Sequence, residues 1–211
     1  MKLLVVGASK GIGFETVTYA LERGHEVRAL ARSADKMALD HSRLDKIAGD
    51  ARNPEDIAAA VTGVDAAIMT IGLPKNMETL KRTTLFSDAT RVLLTAMSGA
   101  GVKRLLVVTG FGAGDSKAKF SFVEKLPFDA LLGRAYADKT VQEELIMASD
   151  LDWTIARPGI LFSRPMTGEY EVLVKPETWH QGLMSRANVA HFLIHAAEDG
   201  TYVHQTPVLI R

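Results

Sequence analysis

The chain has no cysteine in its 211 residues. That removes disulfides, thiolate metal sites and a cysteine nucleophile from consideration. It has no net charge: 25 Lys plus Arg balance 25 Asp plus Glu, so nucleic-acid binding driven by bulk charge is not expected. No apolar run approaches the ~18 residues that a membrane span needs. The first apolar run reaches Gly7 too soon to be the core of a secretory leader. No internal repeat, low-complexity tract or linker divides the chain. These absences lead us to expect one domain over residues 1–211, located in the cytoplasm and with no membrane partner. A content of 47% hydrophobic and 24% charged residues suits a globular fold with a sizeable core.

What is present is alternation. Strand-like runs at Leu3–Val6, Glu26–Leu30, Leu44–Ala48, Ala66–Thr70, Arg104–Val108, Trp153–Ala156 and Pro207–Ile210 are separated by helical patterns. The helices are expected over Gly11–Arg23, Lys36–His41, from Asn53-Pro54-Glu55-Asp56 to Val61, Met77–Ala100, Phe128–Ala148 and Arg186–Glu198. Repeated strand–helix–strand units predict an α/β fold, a single doubly wound parallel sheet of six or seven strands with helices on both faces. Residues 111–127 and 157–184 are expected to be long connections over a ligand crevice. The second of these has a small pair of strands near Glu169–Val174 and Gly182–Ser185. Arg157-Pro158 reads as a strand end, because proline disfavours a continuing ladder.

The opening MKLLVVGASKGIGFET places Gly7, Gly11 and Gly13 where a buried strand turns into a helix. Gly7 permits a tight turn, Gly11 a close backbone approach by a pyrophosphate, and Gly13 close packing of the helix on the sheet. The unpaired N–H groups at the helix start favour an anion there. The second strand, EVRALARS, ends in Arg32 and Ser33, with no acid until Asp35. An acid at that position would bond a ribose 2′-OH, whereas a guanidinium suits a 2′-phosphate. With Lys10 inside the turn, NADP(H) is expected rather than NAD.

The spacing Gly7-x-x-x-Gly11-x-Gly13 resembles the short-chain dehydrogenase/reductase superfamily. DLDWTIARPGILFSRPMTGEY, residues 150–170, is similar to the corresponding segment of its atypical, NmrA-like branch. PMTGEYEV followed by MSRANVAHFLI is similar to the biliverdin reductase B group of flavin reductases within that branch. The resemblance implies that Gly7, Ser9, Lys10, Gly11, Ile12 and Gly13 surround the pyrophosphate, with Arg32 and Ser33 at the 2′-phosphate. It puts Asp50 and Ala51 at the adenine, and Ile71 and Gly72 beside the adenine-side ribose. Thr109 and Gly110 would underlie the nicotinamide ribose. Pro158, Gly159 and Ile160 would carry backbone groups toward the carboxamide.

The catalytic pattern departs from the superfamily. Most members use Tyr-x-x-x-Lys with a serine. Here GRAYADKTVQEE has Tyr136 and Lys139 one residue closer together, with Ala135 at the usual tyrosine position. Lys139 falls at the usual lysine position, where it would bond the ribose. VVTGFGAG carries Thr109 and Gly110 in place of a serine pair. Thr109, Lys139 and Tyr136 are therefore the catalytic candidates, with Tyr136 equally readable as a packing residue. An ordinary alcohol dehydrogenase mechanism is not expected.

One expectation is hydride transfer to a small planar conjugated acceptor, flavin-like or quinone-like, with water supplying the proton. The other is a non-catalytic NADP-binding redox sensor or regulatory protein of the NmrA-like type. An epimerase reading is weakened by the missing Tyr-x-x-x-Lys. Phe111, Phe120, Phe122, Phe162 and Met166, with Phe128, Tyr170, Trp179 and His180, either wall an acceptor site or fill the core beneath two long loops. His191 and His195 share a helix face. They lack a third ligand, so no metal is expected. The physiological substrate and the oligomeric state stay open at this point.

Overall fold

A computed structural model describes residues 1–72 and 83–211, apart from the side chains of Phe122 and Glu124. The elements in order are β1 (Lys2–Val6), α1 (Gly11–Glu22), β2 (Glu26–Ala31), β3 (Leu44–Ala48), α2 (Pro54–Val61), β4 (Ala66–Met69), α3 (Leu85–Ala100) and β5 (Arg104–Val108). They continue with α4 (Phe122–Met147), β6 (Asp152–Pro158), β7 (Ile160–Phe162), β8 (Glu171–Leu173), β9 (Leu183–Ser185), α5 (Arg186–Glu198) and β10 (Val208–Ile210).

The main sheet has the order β3-β2-β1-β4-β5-β6-β10-β8. Its first seven strands run parallel, and short β8 closes the edge antiparallel to β10. Strand β1 shows why both faces are covered. Leu3 and Val5 point into the core shared with α1 and α5, whereas Leu4 and Val6 point into the core shared with α2 and α3. A strand buried on both faces has no polar alternation, which is the continuous apolar run read at the amino terminus. This is the expected doubly wound α/β fold.

Local chemistry sets several boundaries. The Asn53 side chain accepts from the Glu55 N–H at 3.0 Å, with Pro54 at the first helical position, so α2 begins there. Gly101 ends α3 in a left-handed conformation, φ 71°. Ser185 caps α5 by accepting from the Asn188 N–H at 3.1 Å. Among the described residues no helix is long and apolar enough to cross a membrane.

Four expectations are corrected. The helix expected over Lys36–His41 is a single 3-10 turn, Ala34–Lys36. Helix α4 starts at Phe122 rather than Phe128 and takes in Pro127, which forfeits one backbone donor there. The long connection after β5 is correspondingly shorter. Strand β6 is longer than the expected Trp153–Ala156: it runs from Asp152 through Arg157 to Pro158, which pairs with Leu209, and it ends there as the Arg157-Pro158 pair indicates. The two strands expected to pair with each other do not: β8 joins β10, and β9 joins β7 in parallel, with Ile160 opposite Leu183. The helix expected from Met77 is described only from Leu85, since residues 77–82 lie outside the described residues.

Candidate functional site

Strand order reverses between β1 and β4, which opens a crevice at the carboxyl ends of the parallel strands. Gly7, Ile71, Gly72, Thr109, Gly110 and Gly159 all follow such ends. At Gly7, φ is 87°, and the N–H donates to the Leu30 carbonyl at 2.9 Å. A Cβ on Gly13 would collide with the Gly7 carbonyl oxygen. Helix α1 therefore sits directly on the end of β1, as close as two backbones allow.

The start of α1 is left without the partners that the starts of α2, α3 and α5 have. Asn53 caps α2, Ser185 caps α5, and the Asp138 carboxylate accepts from the Phe86 and Ser87 N–H groups of α3 at 2.8 and 3.4 Å. Lys10 caps α1 with no side-chain bond, and its first turn contains no acid. A positive helix end lacking an internal anion fits a phosphate group. Ile12 is buried beneath it. Ser9 accepts a hydrogen bond from Ser33 at 3.2 Å, which ties the glycine turn to the end of β2. Exposed Arg32 lies beside them.

Asp50 is held at about 2, chiefly by its hydrogen bonds from Arg52 (the guanidinium at 2.8 and 3.2 Å, the backbone N–H at 2.9 Å), with Arg32 contributing at longer range. Ala51 and Ile71 are half-buried against the α2/α3 core, and Gly72 is exposed. These residues ring the β1–β4 end of the crevice.

The β5–β6 end is different in kind. The Thr109 hydroxyl donates to Glu143 Oε1 at 2.6 Å. Glu143, fully buried, also accepts from Arg157 through both oxygens, at 2.6 and 3.0 Å. Arg157, 1% exposed, reaches Asp115 at 2.6 Å, and its guanidinium lies 5.0 Å from the Trp179 ring centroid. One buried cation thereby joins β6, α4, the connection after β5 and the segment before β9.

Lys139 Nζ is 3.4 Å from the Val108 carbonyl and 4.2 Å from the Phe86 ring centroid, and burial pulls it down to about 8. Tyr136 is pushed up to about 12, first by burial and then by Glu143. Its hydroxyl lies against Gly110, where a Cβ would come within 2.5 Å of it. Thr109, Tyr136 and Lys139 thus share one end of the crevice, but the tyrosine is shifted away from acidity.

The structure also brings in residues that the sequence reading missed: Glu143, Asp138, Asp115 and the buried role of Arg157. A signal existed on α4. Tyr136, Lys139, Thr140 and Glu143 fall at i, i+3, i+4 and i+7, a polar stripe on a face that packs inward.

Phe111 and Phe120 are buried with Trp179, Val208 and Ile210. A row of rings continues outward, from Phe111 to Phe120 at 5.1 Å, to Phe128 at 4.6 Å and to Tyr136 at 4.7 Å. Phe162 and Met166 are half-buried, and His180 is exposed. The Phe122 side chain lies outside the described residues. Tyr170 turns to α5, where its hydroxyl pairs with His191 Nδ1 at 2.9 Å. The Gly159 and Ile160 N–H groups are already donated to Leu209 and Gly182 at 3.0 and 2.8 Å, and the Pro158 carbonyl accepts from Phe111 at 2.9 Å. His195 pairs with Tyr19 at 3.1 Å, and no cluster suited to a metal occurs among the described residues.

Residues 7–200 match the model of an NAD(P)H-binding family. The chain belongs to that family. Among solved structures it is similar to ChuY, an anaerobilin reductase from Escherichia coli O157:H7, with 29% identity and a TM-score of 0.81 over all of this chain and 97% of that one. It is 28% identical over 202 residues to YhfK of Bacillus subtilis, named as an uncharacterized sugar epimerase, covering 94% of this chain and 89% of that protein. It is 30% identical over 159 residues to the NAD(P)H azoreductase of Xenophilus azovorans, covering 74% of this chain but only 47% of the azoreductase. The family match places the chain among NAD(P)H-binding proteins, and two of these three neighbours carry reductase names. The NADP(H) assignment from Lys10, Arg32 and the missing acid agrees with that placement.

Proposed function

We propose that this chain is an NADPH-dependent reductase of a small planar conjugated acceptor, flavin-like or quinone-like. The observation that carries the reading is the state of the protons at the β5–β6 end of the crevice. The Thr109 proton is committed to Glu143. The Tyr136 proton is held more tightly than in water. Lys139 is buried below the strand end, against Val108 and Phe86. Reduction of an isolated carbonyl needs a positioned acid, and none of these groups is arranged as one. A conjugated acceptor spreads the incoming charge over its rings and takes its proton from solvent.

Gly7, Lys10, Gly11 and Gly13 would hold the pyrophosphate, and Arg32 with Ser33 the 2′-phosphate. Asp50, Ala51, Ile71 and Gly72 would line the adenosine end, and Thr109 with Lys139 the second ribose. The reduced cofactor supplies a hydride when bound. The protein's part is placement, and the half-buried Phe128, Phe162 and Met166 are the side chains assigned to hold the acceptor flat. Tyr136 is assigned a packing role.

Two similar proteins carry reductase names, which favours turnover over the sensor reading. The test is NADPH consumption in the presence of FMN, quinones, an azo dye and simple aldehydes. Binding without consumption of NADPH would support the sensor instead.

A further inference from the structure

We infer that Arg186 is a pyrophosphate clamp, closing the glycine turn from the opposite side of the crevice. The inference rests on the cofactor reading above and adds a residue from the far end of the chain. Arg186 is the first residue of α5, immediately after β9. Its position is fixed by the Ser185 cap, which accepts from the Asn188 N–H at 3.1 Å. From there its half-buried side chain reaches across to Gly11. Apart from its chain neighbours and the backbone of α1 itself, a Cβ on Gly11 would meet, among the described residues, only Arg186 Cδ and Nε, both at 3.9 Å. The guanidinium therefore stands beside the unfilled, positive start of α1.

The bonding of that guanidinium is incomplete. One N–H donates to the Ser163 hydroxyl at 3.1 Å. Among the described residues no carboxylate lies within ion-pair distance of it. Arg157, by contrast, is paired with Glu143 and Asp115, and both terminal nitrogens of Arg104 are taken up by Thr154 and the backbone carbonyls of Asp152, Ala196 and Thr201, although its Nε has no partner. A neutral hydroxyl holds the Arg186 fork without cancelling its charge. The remaining donors match the paired oxygens of a diphosphate, and a planar fork suits such a group better than a point charge does. The anion would then be held between α1 N–H groups and Lys10 on one side and Arg186 on the other.

Arg186 would thus serve the part common to both nucleotides, whereas Arg32 would serve the 2′-phosphate alone. Fluorescence titration of NADPH and NADH into wild type, Arg186→Ala and Arg186→Lys separates these roles, with 2′-AMP, which has no 5′-phosphate, as competitor. Arg186→Ala is expected to weaken NADPH and NADH by the same factor, roughly tenfold or more for a charge-assisted pair. Binding of 2′-AMP is expected to stay within about twofold, because charges beyond a Debye length are screened. Arg186→Lys should fall between wild type and alanine.

Undiminished NADPH binding in Arg186→Ala overturns the inference, and so does a changed NADPH/NADH ratio. Thermal melting of the unliganded variants is the control. If the alanine variant melts early, Arg186→Gln, which keeps most of the stem, carries the same comparison. A wild type that binds neither nucleotide overturns the functional reading and this inference together. A wild type that binds NADPH but reduces no acceptor overturns only the former.

Discussion

The Tyr136 hydroxyl occupies the space that a side chain at position 110 would need: a Cβ on Gly110 would lie 2.5 Å from that oxygen. Gly110 also has φ 142°, a conformation that residues with a Cβ adopt rarely. The two departures from the superfamily's catalytic pattern are therefore one feature. The tyrosine, displaced by one residue, fills the place from which the serine is missing. Gly110→Ser is expected to destabilise the protein by about 1–3 kcal/mol through backbone strain and overpacking, rather than to restore a catalytic hydroxyl. Adding Tyr136→Phe should recover part of that loss. A double-mutant cycle by denaturant unfolding checks it, and simple additivity would show that the two sites are not coupled.

The pair Arg157 and Glu143 is buried on both sides, with side-chain exposures of 1% and 0%. Removing one partner leaves an uncompensated charge in the interior. Arg157→Met alone is expected to cost about 3–5 kcal/mol, and the double variant Arg157→Met with Glu143→Leu much less. Urea unfolding of the three proteins measures this. A double variant as unstable as the single one would mean that Arg157 contributes by shape rather than by pairing.

Lys139 gives a pH dependence with a definite sign. Burial lowers it from 10.5 to about 8 in the folded chain. Between those two values the unfolded state binds more protons than the folded state. This group therefore makes stability rise with pH across that window, and its burial penalty is fully present below it. Relative to Lys139→Met, wild type should gain stability from about pH 7.5 to about pH 10. Urea midpoints at the two values, compared between the proteins, report the difference. A constant gap would show that Lys139 titrates as it does in water.

Arg32 and Lys10 should separate by ligand. Arg32→Ala is expected to weaken NADPH roughly tenfold or more while leaving NADH nearly unchanged, since only the former carries the 2′-phosphate. Lys10→Ala should weaken both. Equal losses in Arg32→Ala would remove the residue from the 2′-phosphate site.

The parts of this molecule legible in the sequence are those governed by local rules. Gly7 to Gly13 after an apolar strand, Asn53-Pro54 before α2 and the start of α5 at Arg186 each carry their own signal within a few residues. Partners at long range carry none. Nothing in EVL or LMS says that β8 will pair with β10 and β9 with β7, so the two short strands were matched to each other. Tyr136 and Gly110 were each visible as a departure, but their complementarity is spatial, across 26 positions. Arg157-Pro158 does end β6, but the buried pairing of Arg157 has no local signal, because its partners, Glu143 and Asp115, lie 14 and 42 residues away. Arg186 was read only as the start of a helix, since its neighbour Gly11 is at the other end of the chain.

The central claim is that this crevice passes hydride to a flat conjugated acceptor without a protein acid. Following NADPH oxidation by wild type and Tyr136→Phe across FMN, quinones, an azo dye and simple aldehydes tests it most directly. The account predicts oxidation with at least one conjugated acceptor, little or none with aldehydes, and a rate in Tyr136→Phe within about twofold of wild type. NADPH that binds but is consumed with no acceptor, or aldehyde reduction that Tyr136→Phe abolishes, would contradict it.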